Sequence, residues 1–430
     1  MLILYTIGYF LSLLFYHFGQ NVIASVIMVS LAIFLCYLEY KKDKRPINIA
    51  GLFALGFVGG FGVSLLKLSA LSDEYSIKTI ITIFVAFFSI YLGTHFTRDV
   101  GKKILYTNSK KNIKYIVLIL FFITFVSFVV EVCILKFIPL FTRNVPHAYS
   151  TFHVFMLHYI TTLYVFIPTF AIVNYYNSDT KSKKTILFSY IYVIILATLL
   201  VSRSQLIMSL MLSVFTYAVY NKNNVVLKLK NKKNLLISLF VFIFIIIIYI
   251  FITINRAHDI NYLNGIFEMK DDNIPIYVTQ PYMYVAHNFE NLNYMINNIE
   301  AFGFGRRMLM PLWTLTFVKK LFPTVAIAPV YVIKEELSTL TLIYDFYYDF
   351  GISGVVIFCF IIGYLGKIIE NYVYSVIDDK RPTYLIVLFS LLCYYMLFSF
   401  FQTYFSLTET LIYILTILLI EGVFIVKNSK

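Results

Sequence analysis

Residues 21–45 read NVIASVIMVSLAIFLCYLEYKKDKR. The apolar run from 21 to 38 is long enough, as a helix, to cross a hydrocarbon core of about 30 Å. Lys41, Lys42, Lys44 and Arg45 follow it directly. Lys and Arg gather on the cytoplasmic side of membrane proteins, so this pattern predicts a span whose following loop lies inside the cell. The pattern recurs at every second loop. Arg98, Lys102, Lys103, Lys110, Lys111 and Lys114 form one basic loop, Lys181, Lys183 and Lys184 the next, and Lys222, Lys228, Lys230, Lys232 and Lys233 another. Lys367, Lys380 and Arg381 follow, and Lys427 and Lys430 close the chain. Twelve apolar stretches can be placed, at about 2–17, 21–38, 48–69, 77–96, 115–135, 152–174, 185–201, 204–220, 235–254, 350–367, 383–401 and 409–426. With the basic loops inside, both termini are cytoplasmic. The expected fold is an all-α polytopic membrane protein.

Composition agrees. The 430 residues are 60% hydrophobic and 13% charged, against roughly 45–50% and about 25% in soluble domains. The formal charge of +13 is explained by loop lysines facing anionic headgroups, and no basic domain exists to carry nucleic acid. Cys36, Cys133, Cys359 and Cys393 fall in apolar spans without a CxxC spacing and read as small core hydrophobes. Residues 1–16 are apolar from the outset and lack the charged start of a cleavable signal, so they read as a short first span. Gly51, Gly56, Gly59, Gly60 and Gly62 weaken the third span as an isolated helix but give a neighbouring helix a face for close packing.

The chain divides into nine N-terminal spans (1–254), one long outer segment (255–349) and three C-terminal spans (350–430). A connection of some 95 residues among short loops is where function concentrates. Its apolar stretches 281–284, 308–317 and 325–333 are expected to lie against the bilayer as surface or re-entrant helices.

Arginine departs from the lysine pattern. Arg143, Arg203, Arg256, Arg306 and Arg307, five of the eight arginines, fall on the outer side. The planar guanidinium fork grips phosphate through two parallel hydrogen bonds, so the group points to a phosphorylated ligand handled outside. Arg256, His258 and Asp259 stand where the ninth span emerges. Arg256 either neutralises a phosphate or snorkels to lipid headgroups; His258 or Asp259 is placed to accept a proton. Arg203 sits in a break between spans too short for a soluble loop, at a depth where an ionisable residue is costly. Arg306 and Arg307, after Gly303 and Gly305, form either an anion clamp or a solvated basic pair. Asp345 and Asp349, interleaved with Tyr344, Tyr347 and Tyr348, suit a sugar, whose hydroxyls bind carboxylates and whose C–H faces stack on rings, or else form an aromatic belt with helix N-terminal acids. His153 and His158 are five apart, not the spacing of a helical metal pair, and read as cavity lining or core histidines. No metal site and no cofactor is expected, and no nucleotide motif or intramembrane carboxylate relay supplies energy coupling.

The Arg203 break, the Asn255 to Asp259 exit, the Thr279-Gln280-Pro281-Tyr282 and His287-Asn288 region, and the Asp349-Phe350-Gly351 return resemble the bacterial oligosaccharide repeat-unit polymerases, or O-antigen polymerases. The resemblance implies a C-type glycosyltransferase-like helical fold and metal-independent glycosyl transfer outside the cytoplasmic membrane. The donor would be a glycan on undecaprenyl diphosphate. Arg203 and Arg256 would hold its diphosphate, His258 or Asp259 would deprotonate the acceptor hydroxyl with His287 as a rival, and Arg143, Arg306 and Arg307 would seat the second lipid-linked unit. Membrane lipids, and a flippase and chain-length regulator of the same pathway, are the implied partners. A repeat-unit flippase or exporter, or an O-antigen ligase, is the alternative.

Overall fold

The computed structural model describes residues 1–97, 113–142, 148–178, 182–221, 260–271, 273–323, 328–375 and 383–425. Every regular element among them is helical, apart from one isolated antiparallel bridge between Ser69 and Met269. The main helices are α1 (Leu2–His17), α2 (Asn21–Asp43), α3 (Ile49–Ser64), α4 (Ile77–His95), α5 (Ile113–Leu135), α6 (Leu157–Asn177), α7 (Lys183–Leu199), α8 (Arg203–Tyr220), α9 (Ile260–Phe267), α10 (Ile276–Asn298), α11 (Tyr344–Ser375), α12 (Thr383–Leu397) and α13 (Thr408–Ile425). Of these, α2, α4, α5, α6 and α11 are long and apolar enough to cross a membrane. The protein is an all-helical polytopic membrane protein. The expected span at 235–254 lies outside the described residues.

Packing groups the chain differently from its order in sequence. One compact unit holds Met1–Gly101, Ile260–Tyr372 and Tyr395–Ile412; the second holds Lys102–Asp259, Val373–Tyr394 and Tyr413–Lys430. The division at 254 and 349 follows the membrane pattern, whereas the units follow which helices share a core.

In the first unit, glycines set close approaches: in the third expected span, a Cβ on Gly56 would sit 2.1 Å from the Leu397 carbonyl oxygen. A Cβ on Gly93 of α4 would sit 2.2 Å from the Phe360 carbonyl oxygen of α11, and one on Gly363 would sit 2.2 Å from that of Ile90. The two backbones touch through reciprocal glycines, the packing that small residues permit between membrane helices. Helix α3 begins with Asn48 Oδ1 accepting from Gly51 N–H at 2.7 Å and passes through a π-helical stretch, Ala54–Val58. At the end of α2, Arg45 donates to Glu370 Oε1 at 2.8 Å and Asn371 Oδ1 at 2.7 Å, and Lys367 Nζ reaches Glu370 at 2.7 Å. Lys367, read from sequence as a loop charge, is buried on the last turns of α11.

The segment between the ninth and tenth expected spans holds a buried helix. Helix α10 covers 281–284 but does not lie on a surface, because fourteen of its residues are buried, among them Gln280, His287, Glu290, Asn291 and Asn293. Several of these polar side chains find partners from other segments. Asn293 Oδ1 accepts from Thr79 Oγ1 at 2.7 Å and Ser76 N–H at 3.1 Å, and Asn291 Nδ2 donates to the carbonyls of Leu337 and Thr339 at 2.7 and 3.0 Å. Residues 308–317 do stay peripheral: a short helix, Met310–Leu315, leaves Leu309, Leu312 and Phe317 exposed.

The second unit packs α5 to α8 together. Its core includes Phe128, Tyr164, Phe166, Val193, Leu212 and Phe215, and Thr216 and Ser390 share a buried hydrogen bond of 2.8 Å.

Candidate functional site

Asp349 organises the first cluster, in the first unit. The backbone N–H of Gly303 donates to the Tyr348 carbonyl at 3.0 Å and that of Phe304 to the Asp349 carbonyl at 3.1 Å. The Asp349 carboxylate accepts from the backbone N–H of Arg307 at 3.3 Å and of Met308 at 2.8 Å. A Cβ on Gly303 would stand 2.3 Å from Asp349 Oδ1, so the turn needs glycine there. Gly351, at φ 63° and ψ −152°, then breaks the helix between this turn and the span beyond. Asp349 is therefore a fully buried anchor of the 303–308 turn.

That turn delivers Arg307. Its Nε pairs with Asp345 Oδ1, and its guanidinium carbon lies 5.3 and 5.4 Å from the ring centres of Tyr344 and Tyr348. Burial works against the Arg307 charge, but Asp345 and the two tyrosines outweigh it and shift its pKa upward. Nε alone is spent on Asp345; the two terminal nitrogens make no hydrogen bond among the described residues. The guanidinium is thus oriented, flanked by rings and left with its outer fork open, while Arg306 beside it is exposed. Of the pair at 306–307, one arginine is built into a site and the other is solvated.

His287 is placed differently. It is 2% exposed, its Nδ1 bonds the Met283 carbonyl and its Nε2 bonds Thr339 Oγ1 at 2.6 Å. Burial lowers its pKa to about 4. Both nitrogens of this ring are engaged by protein partners. One turn on, Glu290 Oε1 accepts from Lys67 Nζ at 2.6 Å and Tyr75 OH at 2.9 Å, with Lys67 3.4 Å above the Tyr75 ring. Burial pushes the Glu290 carboxyl up, against the nearby Lys67. Sequence reading missed this pair, whose members stand 223 residues apart.

In the second unit, Glu131 of α5 is fully buried. It accepts from His158 Nδ1 at 3.1 Å, Thr161 Oγ1 at 2.7 Å and the Val154 N–H at 3.3 Å. Arg203, 6% exposed, opens α8, and Gln205 two residues on accepts from Tyr164 OH at 2.8 Å. Arg143, Arg256, His258 and Asp259 lie outside the described residues. No group of three or more His, Cys, Asp and Glu that could hold a metal ion occurs among the described residues.

No curated protein and no solved structure matches the chain. Residues 52–390 match the family described as "Putative O-antigen polymerase". That stretch covers most of the chain, including most of α3, all of α4 to α8, the Arg307 turn and α11, and the chain belongs to this O-antigen polymerase family.

Proposed function

We propose that the protein joins undecaprenyl-diphosphate-linked oligosaccharide repeat units into surface polysaccharide at the outer face of the bacterial cytoplasmic membrane. In this reading the chain makes twelve spans with both termini inside, on a C-type glycosyltransferase-like plan, and works without a metal. The donor is the growing glycan on its lipid diphosphate and the acceptor is a hydroxyl of the next lipid-linked unit. A flippase and a chain-length regulator of the same pathway act beside it.

The observation that carries the reading is Arg307. A guanidinium held by a buried carboxylate between two tyrosines, with its outer fork open, suits a phosphate joined to a sugar: the fork takes two phosphate oxygens and the rings take C–H faces. Arg307, with Arg306, seats one lipid-linked substrate; Asp345 and Asp349 hold the arginine and its turn. Arg203 and Arg256 hold the donor diphosphate and offset its charge as it leaves. His258 and Asp259 are candidate bases at the exit of the ninth span.

Deleting the gene and resolving surface polysaccharide on a gel tests this. Loss of the ladder to a single repeat unit is expected, with wild type restoring it and Arg307→Lys failing to, because an ammonium cannot copy the fork. Long chains persisting in the deletion strain would refute the proposal.

A further inference from the structure

The Glu131 cluster has a geometry the assignments above leave unused. Both oxygens of this fully buried carboxylate are occupied: Oε2 by the Thr161 hydroxyl, Oε1 by the Val154 N–H and by His158 Nδ1. Because Glu131 is held by donors from three residues of one segment, it fixes the imidazole rather than being carried by it. An ionised carboxylate only accepts hydrogen bonds, so the contact at Nδ1 places the ring proton there and leaves the lone pair on Nε2. Nε2 makes no hydrogen bond among the described residues, and the side chain is 22% exposed, unlike its partner. The His153 ring stands edge-on at 5.1 Å. Just before this helix, Met156 takes φ 65° and ψ −40°. A side chain rarely accepts that conformation, and such strain persists where the surroundings fix it.

A purely structural histidine would be buried with both ring nitrogens satisfied, as His287 is. Here one nitrogen is tied to a buried carboxylate and the other is presented, the arrangement of a carboxylate-oriented general base. We infer that His158 is the base of the glycosyl transfer, with Glu131 its positioning residue. The inference rests on the polymerase reading and deepens it. Nε2 takes the proton of the acceptor hydroxyl as that oxygen attacks the anomeric carbon of the donor. The new C–O bond forms as the bond from that carbon to the diphosphate breaks, and the electron pair leaves with the lipid diphosphate. The proton remains on the imidazole, where Glu131 balances the charge, until it passes to water.

The test uses the purified full-length protein in lipid nanodiscs and the lipid-linked repeat unit extracted from its own host deleted for this gene. His158→Gln is expected to lower kcat about 10²- to 10⁴-fold, the range for a lost general base, with KM little changed. Glu131→Gln keeps an amide oxygen for Nδ1 and Val154 and can turn its nitrogen to Thr161, so it retains the geometry and loses the charge; a loss in kcat on the order of tenfold is expected. If wild type forms no ladder, the polymerase reading fails. If wild type forms one and monodisperse His158→Gln keeps its kcat, or changes KM alone, His158 is not the base and only this inference falls.

Discussion

Two histidines in this protein meet opposite fates. His287, on the buried face of α10, spends both ring nitrogens on Met283 and Thr339. His158, at the start of α6, spends one on a buried glutamate and presents the other. The first closes a fold: it ties α10 to the stretch after Ile333, as Asn291 does beside it. The second has the asymmetry that chemistry needs. An imidazole's role follows from how many of its nitrogens the scaffold consumes, and neither spacing nor residue type reveals that.

The sharpest break in the comparison is a pair of swaps to glutamine. His158→Gln should leave the melting temperature near wild type while turnover falls by the orders of magnitude given above. His287→Gln should do the reverse, retaining turnover in the folded fraction while orphaned partners cost about 1–3 kcal/mol. Parallel nanodisc assays and thermal unfolding read both, and equal effects on both quantities would erase the distinction.

Asp345→Ala comes next. It would leave the mostly buried Arg307 charge uncompensated, at a cost of about 3–5 kcal/mol. Asp345→Ala with Arg307→Ala should recover much of that stability without recovering the ladder. A double variant no more stable than the single would show that the pair does not hold the turn.

The pH dependence sharpens the His287 half. Its folded pKa, about 4, lies below the unfolded value near 6.5. Between these values the unfolded chain binds the extra proton, so stability rises with pH there. The His287 contribution is complete above pH 6.5 and is lost as pH falls toward 4, by about 3 kcal/mol. Unfolding midpoints of wild type and His287→Gln should converge across that window as pH falls, and parallel curves would contradict the assignment.

The smallest expected effect is at Gly351. With φ at 63° and ψ at −152°, and a Phe302 ring atom 2.9 Å from where a Cβ would be, Gly351→Ala should destabilise by roughly 1–3 kcal/mol. Thermal unfolding in nanodiscs reads it, and an unchanged midpoint would mean that the kink relaxes.

Much of the helical plan is legible because hydrophobic length is a local signal. The break at 200–202 between α7 and α8 and the return near Gly351 fall where the pattern puts them. Glu131 stands out in sequence as the acid near the end of an apolar span, but its partner lies 27 residues on, beyond the end of that helix. The polar face of α10 misleads in the other direction. Asn291, Asn293 and Glu290 look like solvent positions, and they are buried with hydrogen bonds supplied by distant segments. At the 306–307 pair, composition offers two equivalent arginines. Only the Asp349-anchored turn decides that Arg307 is the one aimed between Tyr344 and Tyr348.

The most direct measurement is reconstitution: purified protein in nanodiscs, supplied with the lipid-linked repeat unit alone and a chelator, sampled over time on a gel. The account predicts a ladder that lengthens with time as lipid diphosphate is released in step with each joining, with no divalent ion required. A single unextended band from folded, monodisperse protein would contradict it.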